Sequence, residues 1–298
     1  MEDLSLRQTN VLRDAARGWG PMVILREMLR LRLAKFAFLI IAITVVAAAF
    51  SPLLARHDPF KMNPMNNLAA PSGEFWIGSD RLGRDQLSRL IYGARISLLI
   101  GVSSVAISVV AGVAIGTVAG YFGHWWDEVL MRFIDGVASI PGLLLALGLV
   151  AITGGAVLNV ILAIAITATP AKARLIRAQV LSIKERDYVL AARSIGASNS
   201  RMIMGHILPN SFAPIIVAAT LSLGAAIIAE ASLSFLGVGV KPPTPTWGAM
   251  LRHAFETVEL APWLTFTPGA AIFLLVLAFN FAGDALRDVL DPKLRNTR

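Results

Sequence analysis

The sequence predicts an all-α membrane protein with six transmembrane helices. Hydrophobic residues make up 56% of the 298 residues and charged residues only 15%, and the mean hydropathy is +0.67. So little charge could not cover the surface of a water-soluble protein of this length. Six largely uncharged windows follow one another along the chain, each about as long as a helix that crosses the hydrocarbon of a bilayer, roughly 20 residues.

The predicted spans are separated by charges and by turn-forming residues. Gly112, Gly116 and Gly120 recur every four residues in the second span and predict a smooth face on which another helix packs closely. Residues 136–171 carry no charge and are too many for one span, so the turn at residues 153–155 divides them between the third and fourth spans. In order, the predicted spans are residues 36–55, 96–121, 127–152, 157–177, 214–236 and 267–286.

Prolines lie inside or beside three of these spans, at Pro141, Pro170 and Pro268. A proline removes a backbone N–H and its ring crowds the preceding turn, so each is expected to break or kink its helix. Membrane helices tolerate such breaks where neighbouring groups satisfy the freed carbonyls.

The basic residues predict the orientation of the chain. Lys and Arg number seven in residues 1–35, seven in residues 172–201 and four in residues 287–298. With six spans these three segments share one side of the membrane, and their basic character predicts the cytoplasm for all three, including both termini. The loop of residues 56–95 on the other side also holds six basic residues, offset in part by four acids. We interpret the net charge of +8 as a topology signal, with the lipid bilayer and no nucleic acid as the partner.

A polar stretch of residues 184–209 separates the fourth and fifth spans. Residues 187–195 suit a helix, Gly196-Ala197-Ser198 ends it, and a second helix is expected from Asn199. Two short helices at a membrane face form a surface that another protein could hold. The residues alone leave open the alternative of an ordinary basic loop without a partner.

Within this stretch, Ala191-Ala192, Gly196 and His206-Ile207-Leu208-Pro209 resemble the EAA loop of ABC importer permeases. The resemblance implies that the loop docks into a groove of a cytoplasmic ATPase. Leu190 stands where the family pattern often has a glutamate, so charge pairing with the ATPase is expected to fall to neighbouring residues. The residues that the resemblance assigns to this coupling loop are Asp187, Tyr188, Ala191, Ala192, Arg193, Gly196, Ala197, Ser198, His206 and Pro209.

Three further segments resemble the C-type permease of dipeptide, oligopeptide and nickel importers, and together the matches cover most of residues 75–295. The resemblance implies a type I ABC importer permease fold in the bacterial inner membrane and transport of peptides by alternating access. The implied partners are a homologous B-type permease, two ATPase subunits that use ATP and Mg²⁺, and an extracytoplasmic substrate-binding protein. The segments begin Gly78-Ser79-Asp80-Arg81-Leu82-Gly83-Arg84-Asp85, Phe235-Leu236-Gly237-Val238-Gly239 and Phe279-Asn280-Phe281-Ala282-Gly283-Asp284.

The resemblance also predicts the domain organisation. Residues 1–35 form a cytoplasmic tail, and residues 36–92 hold the first span and a long extracytoplasmic loop with an amphipathic helix. Residues 93–284 form a core of five helices with the coupling loop at about residues 184–209, and residues 285–298 form a second cytoplasmic tail. A permease for nickel or another small solute is the alternative within the family. An ion-coupled secondary transporter and a membrane-anchored scaffold are the alternatives from other classes.

The amphipathic helix is expected over residues 80–95, with leucines on one side and arginines toward water. Asp85 and Arg89 are spaced for an ion pair within one helix, and such a helix would lie along the outer membrane face. The family resemblance adds contact of Arg84 and Arg89 with the substrate-binding protein. A solvated helix without a partner is the alternative.

Two acids within or near the spans stand out. Glu230 falls inside the fifth span, where an ionisable group is costly and faces either a substrate pathway or a hydrogen-bonding partner in the bundle. Asp135 lies close to Arg132 along the third span, which predicts a local ion pair.

Catalytic signatures are missing from the sequence. The four histidines are scattered, there is no cysteine, and no Gly-x-x-x-x-Gly-Lys-Ser/Thr loop is present to hold a nucleotide phosphate. We therefore expect no metal site, no bound cofactor and no enzymatic activity in this chain, with ATP hydrolysed by the partner subunits.

Overall fold

The computed structural model describes residues 21–290, which fold into helices joined by turns and loops. The parts of the two predicted tails that fall in residues 1–20 and 291–298 lie outside the described residues. The helices are, in chain order, α1 (Pro21–Met28), α2 (Arg32–Ala49), α3 (Ser51–Leu54), α4 (Gln86–Phe122), α5 (His124–Ala138), α6 (Gly142–Thr153), α7 (Val157–Lys184), α8 (Asp187–Ser194), α9 (Asn199–Met202), α10 (Leu208–Phe235), α11 (Trp247–Phe255) and α12 (Pro262–Leu290).

Five of the six predicted spans are continuous helices that are long and apolar enough to cross a membrane. They are α2, α4, α7, α12 and the run Asn199–Phe235, in which a π-helical turn at Ile203–Ile207 joins α9 to α10. Pro170 and Pro268 lie within α7 and α12, and both helices continue through them.

The third predicted span is not one helix over residues 127–152, and that prediction was wrong. The chain forms α5 and α6 there, and the two helix axes are bent by 85° at the break between them. Pro141 directly precedes α6; it has no N–H to donate and disfavours helical geometry at Ile140. Counted as one crossing, the bent pair brings the number of candidate spans within residues 21–290 to six.

The predicted small-residue face lies against α7, which is the most buried of the candidate spans. A Cβ at Gly112 would lie 2.6 Å from Cβ of Lys172, and one at Gly116 would lie 2.5 Å from the carbonyl oxygen of Ala173. At Gly120 the nearest atom is Cβ of Val180, at 2.9 Å. The glycines thus let the α4 and α7 backbones approach more closely than any side chain would allow.

Two ion pairs join α5 to α7. Arg177 donates from Nε and Nη2 to the two carboxylate oxygens of Asp127, each at 2.5 Å. Asp135 accepts from Arg174 at 2.7 Å. The predicted pair of Asp135 with Arg132 is therefore wrong, because the packing of α5 on α7 brings a closer cation than the one in its own helix.

The predicted amphipathic helix over residues 80–95 is only partly formed, because residues 86–95 are the first turns of α4 whereas residues 80–85 are not helical. Asp80 instead closes a turn by accepting the backbone N–H groups of Leu82 and Arg84. Asp85 then caps the start of α4 by accepting the N–H of Ser88, and α4 continues without a break through the second span. The segment therefore leads directly into a candidate span and is not a separate helix.

Candidate functional site

The predicted two-helix element is formed by α8 and α9, and a Schellman motif ends α8. The N–H of Gly196 donates to the carbonyl of Arg193 and the N–H of Ala197 to that of Ala192, at 3.0 and 3.1 Å. This motif needs a left-handed residue just after the helix, and Gly196 has φ +84°. Ser198 then caps α9 with its side-chain oxygen. The Ala-Ala, Gly, Ala-Ser spacing in the sequence is thus the pattern of one helix end followed by one helix start.

Apolar side chains fasten this element to the end of α7. Val189 of α8, Met202 of α9 and Ile207 of the π-helical turn are buried in one cluster with Ile176 and Val180 of α7. Burial of each such side chain contributes about 1.5–3 kcal/mol. The two short helices are therefore packed against the end of α7.

Polar contacts fasten the same element to the end of α4. The hydroxyl of Tyr121 lies 2.8 Å from Oδ1 of Asn199, the first residue of α9. Nζ of Lys184, at the end of α7, donates to the carbonyl oxygen of Gly120 at 3.1 Å. The two-helix element is therefore joined to α7 by the apolar cluster and to α4 by the Tyr121–Asn199 hydrogen bond, while Lys184 joins the ends of α4 and α7 to each other.

The predicted coupling residues lie on α8, on the turn that follows it, on the π-helical turn and at the start of α10. Ala192, Ala197 and His206 are half-buried, and the ring of His206 lies 6.4 Å from that of Tyr188. The others are exposed, and we call them the coupling surface. It consists of Asp187, Tyr188, Ala191, Arg193, Gly196, Ser198 and Pro209.

Two exposed apolar residues beside this surface were missed by the sequence reasoning. Ile195 is 86% exposed and Met204 is 66% exposed, although both sit in short helical turns that are anchored elsewhere by buried side chains. Leu190 is exposed as well. Ile195 directly precedes Gly196, the glycine that ends α8. That position in the sequence was the signal from which its exposure could have been predicted.

Glu230 lies on α10 and is 0% exposed. Its carboxylate accepts the hydroxyl of Ser234 at 2.8 Å on the same helix and the hydroxyl of Ser97 at 3.1 Å on α4. The N–H of Trp247 donates to the same Ser97 oxygen at 3.4 Å. Of the two interpretations of Glu230, this geometry favours the hydrogen bond across the bundle.

Arg84 and Arg89 do not point toward water, and that prediction was wrong. They are 5% and 4% exposed, because both guanidinium groups turn inward to the carboxylate of Asp80. Nε and Nη2 of Arg84 each lie 2.7 Å from Oδ2 of Asp80, and Nε of Arg89 lies 3.4 Å from it. Arg89 is thus paired with Asp80 and not with Asp85, as the helical spacing had predicted.

The sequence of this chain matches a known protein family and several named relatives. Residues 112–296 match the model of the family described as "Binding-protein-dependent transport system inner membrane component". The dipeptide transport system permease protein of Alkalihalophilus pseudofirmus is 43% identical over 91% of this chain and 89% of that protein. The di/tripeptide transport system permease protein of Pseudomonas aeruginosa is 47% identical over 87% of each. The glutathione transport system permease protein of Escherichia coli is 45% identical over 91% of this chain and 89% of that protein.

Solved structures share the fold at lower identity. A chain of the inward-facing methionine ABC transporter MetNI superposes with a TM-score of 0.56 at 19% identity, over 68% of this chain and 97% of that one. A chain of an amino acid ABC transporter gives a TM-score of 0.53 at 19% identity, over 68% of this chain and 95% of that one. The all-α membrane fold predicted from the sequence, that of type I ABC importer permeases, is confirmed.

Proposed function

This chain belongs to the family of binding-protein-dependent transport system inner membrane components, and from that membership we propose that it is the peptide-importing permease subunit of an ATP-driven transporter. Three relatives at 43–47% identity are named for dipeptides, di- and tripeptides, and glutathione. All of these are short peptides, which supports peptides as the substrate class.

The observation that carries the proposal is the anchored coupling surface. Its residues are exposed, while the helices that bear them are fixed beneath by Val189 and Met202. An exposed surface on a rigid base suits a partner that pushes on it. We assign that partner as a cytoplasmic ATPase, which supplies the ATP and Mg²⁺ chemistry for which this sequence carries no phosphate-binding loop.

The full importer would contain four kinds of subunit. Beside this chain stand a second, homologous permease, two ATPases and an extracytoplasmic substrate-binding protein. The family description itself names dependence on a binding protein. Since Arg84 and Arg89 are buried, contact with that protein would be made by other residues of the same face, such as Arg81, which is exposed beside Glu256.

Alternating access follows from the way the coupling surface is connected. Closure of the ATPases on ATP displaces α8 and α9, and the apolar cluster passes that displacement to α7. The Tyr121–Asn199 hydrogen bond passes it to α4. The ATPases need only bind this chain differently in its two states for the pathway to change sides.

The coupling surface lies in the cytoplasm in this proposal, together with both termini. Six crossings, with the bent pair α5–α6 counted as one, support a shared side for the three segments. Their basic residues support the cytoplasmic assignment.

The pathway role of Glu230 is replaced in this proposal by a structural one. Its carboxylate is enclosed and joins α10 to Ser97 of α4. A substrate would have to open that contact to reach it. We therefore assign Glu230 to holding the bundle together.

The proposal is tested by Gly196→Pro in the complete importer, reconstituted in proteoliposomes with its ATPases and binding protein. Proline cannot adopt φ +84° and has no N–H for the Arg193 carbonyl, so the end of α8 is rebuilt while the spans remain. Gly136→Ala is the matched control, because Gly136 lies outside the coupling loop, is exposed, has no positive φ and has no neighbour near a new Cβ.

We expect Gly196→Pro to abolish ATP-driven peptide uptake and to weaken ATPase association, with normal amounts of the chain in the membrane. Gly136→Ala should leave both unchanged. Normal peptide uptake by Gly196→Pro would contradict the assignment of the coupling surface.

A further inference from the structure

A cavity of about 620 Å³ opens between the turn that precedes α4 and the helix α11. Asp80, Arg84 and Arg89 line it from one side and Met250 and His253 from α11. Leu264 contributes an apolar part of the wall. The cavity is separate from the coupling surface, and nothing in the proposed coupling mechanism uses it.

The cavity wall holds more buried positive than negative charge. Arg84 and Arg89, both more than nine-tenths buried, share the single carboxylate of Asp80. Arg89 also donates from Nη1 to the carbonyl oxygen of Pro59. Within residues 21–290 no hydrogen-bond partner is found for Nη1 of Arg84 or Nη2 of Arg89. Two guanidinium groups therefore keep N–H donors available at the cavity wall.

Other acids nearby are already engaged. Asp85 accepts both the N–H and the hydroxyl of Ser88 and does not line the cavity. Glu256 pairs with Arg81 near the opening, where both side chains are about half exposed. Neither is placed to neutralise the second guanidinium.

The charge of the two arginines affects the pKa of the His253 imidazole. Burial lowers the pKa of His253 below its ordinary value, and the positive charges of Arg84, Arg89 and Arg252 lower it further, whereas Glu256 alone raises it. The two guanidinium groups and the imidazole thus line the same cavity, and each guanidinium disfavours the protonated imidazole.

We propose that this cavity binds the carboxylate of a small organic ligand of peptide size. A planar carboxylate matches the fork of a guanidinium, and charge-assisted hydrogen bonds of this kind are roughly twice as strong as neutral ones. The apolar residues Met250 and Leu264 are placed to contact the body of such a ligand. A volume of about 620 Å³ lies in the range of small-molecule pockets, about 300–1,000 Å³, and far exceeds what one acidic side chain needs. The choice of a peptide as the body rests on the proposed function, whereas the carboxylate site itself does not.

The test is ligand binding to the purified full chain in lipid nanodiscs, measured by titration calorimetry. The probes are alanyl-alanine, the same dipeptide with its carboxylate converted to an amide, and acetate. We expect alanyl-alanine to bind and the amide to bind at least about tenfold more weakly, which corresponds to about 1.4 kcal/mol. The pKa of His253, followed by NMR of labelled imidazole nitrogens, should rise when alanyl-alanine binds, because the carboxylate cancels positive potential.

Variants separate the site from a general effect on folding. Met62 lines the opening and is 56% exposed, so Met62→Trp should fill the opening without disturbing the core and abolish binding of alanyl-alanine. Arg84→Lys keeps the charge but loses the planar fork and should weaken binding about tenfold. Arg95→Gln, at an exposed position on α4, is the matched control and should change nothing.

Three outcomes would overturn the proposal. The first is equal binding of the dipeptide and its amide, and the second is binding that Met62→Trp leaves intact. The third is absence of binding by all three probes; if Met62→Trp then weakens association with the extracytoplasmic binding protein, the cavity receives an acidic side chain of that protein instead. Peptide uptake by the unaltered importer is measured separately, so its absence would contradict the proposed function without bearing on this site.

Discussion

Arg177 of α7 donates to both carboxylate oxygens of Asp127 of α5, at 2.5 Å each, where α5 of the bent pair α5–α6 packs against α7. The bidentate geometry fixes the angle between the two side chains as well as their distance. The bent pair is therefore oriented on α7 by this contact. The Arg174–Asp135 pair, about one turn away along α7 and about two turns away along α5, is a weaker support.

Asp127→Asn is expected to lower the free energy of unfolding by about 1–2 kcal/mol, because a partly buried, bidentate ion pair is lost. Asp135→Asn should change it by less than about 0.5 kcal/mol, since both side chains of that pair are more than half exposed. Thermal melting of the chain in detergent, read by the loss of monomer in size-exclusion chromatography, measures both. Equal effects of the two substitutions would contradict the special role of Asp127.

Gly116→Ala is expected to destabilise the chain by about 1–3 kcal/mol through overpacking between α4 and α7. The new Cβ would lie 2.5 Å from the Ala173 carbonyl oxygen and 2.9 Å from the Arg177 backbone nitrogen, and backbone atoms cannot rotate away. Gly136→Ala is the matched control, because Gly136 also lies in a helix and has no neighbour within 4 Å of a new Cβ. The same melting assay applies, and a harmless Gly116→Ala would show that the two helices can separate freely.

Glu230→Gln is expected to leave peptide uptake and stability nearly unchanged, because an amide can still hydrogen-bond to both serine hydroxyls. Glu230→Ala should cost about 1–3 kcal/mol, since the hydroxyls of Ser97 and Ser234 are left without their partner. Glu128→Gln, at an exposed position of α5, controls for the loss of one acid. A large change in affinity for cationic peptides in Glu230→Gln would restore the pathway interpretation.

Stability is expected to fall as the pH drops below about 6.5, the ordinary pKa of histidine, in part because of His253. Burial and three arginines hold the pKa of His253 below that value in the folded chain, so the unfolded chain binds more protons in this window. Folding is therefore favoured above the unfolded pKa and loses that contribution as pH falls through the folded pKa. His253→Gln should flatten the dependence of the melting temperature on pH between about 7.5 and 5.5, whereas His124→Gln, at an exposed position, should not.

The sequence was sufficient where a local pattern decides the structure. Uncharged windows located the spans, and the Ala192–Gly196–Ala197 spacing located a helix end because the Schellman motif depends on those residues alone. The small-residue spacing of Gly112, Gly116 and Gly120 likewise predicted a close helix contact before its partner, α7, was known.

Tertiary contacts decided the features that the sequence did not predict correctly. The helical periodicity of residues 80–95 predicted that Arg84 and Arg89 face water. The turn that Asp80 closes instead brings its carboxylate to both arginines, and this makes their burial possible. Asp135 pairs with Arg174 because α5 packs against α7. Pro141 indicated a break in the third span, but no local rule gives the 85° angle, which depends on what α5 and α6 each pack against.

The helical run from Asn199 to Phe235 joins the coupling surface to Glu230 without an interruption. At about 1.5 Å per residue its 37 residues extend about 55 Å. A tilt of only about 10° about one end would displace the other by about 10 Å, by the geometry of a rod of that length. In the mechanism that we propose, a small rotation imposed by the ATPase at one end of this run becomes a displacement of about that size at the other end, through the length of one helix.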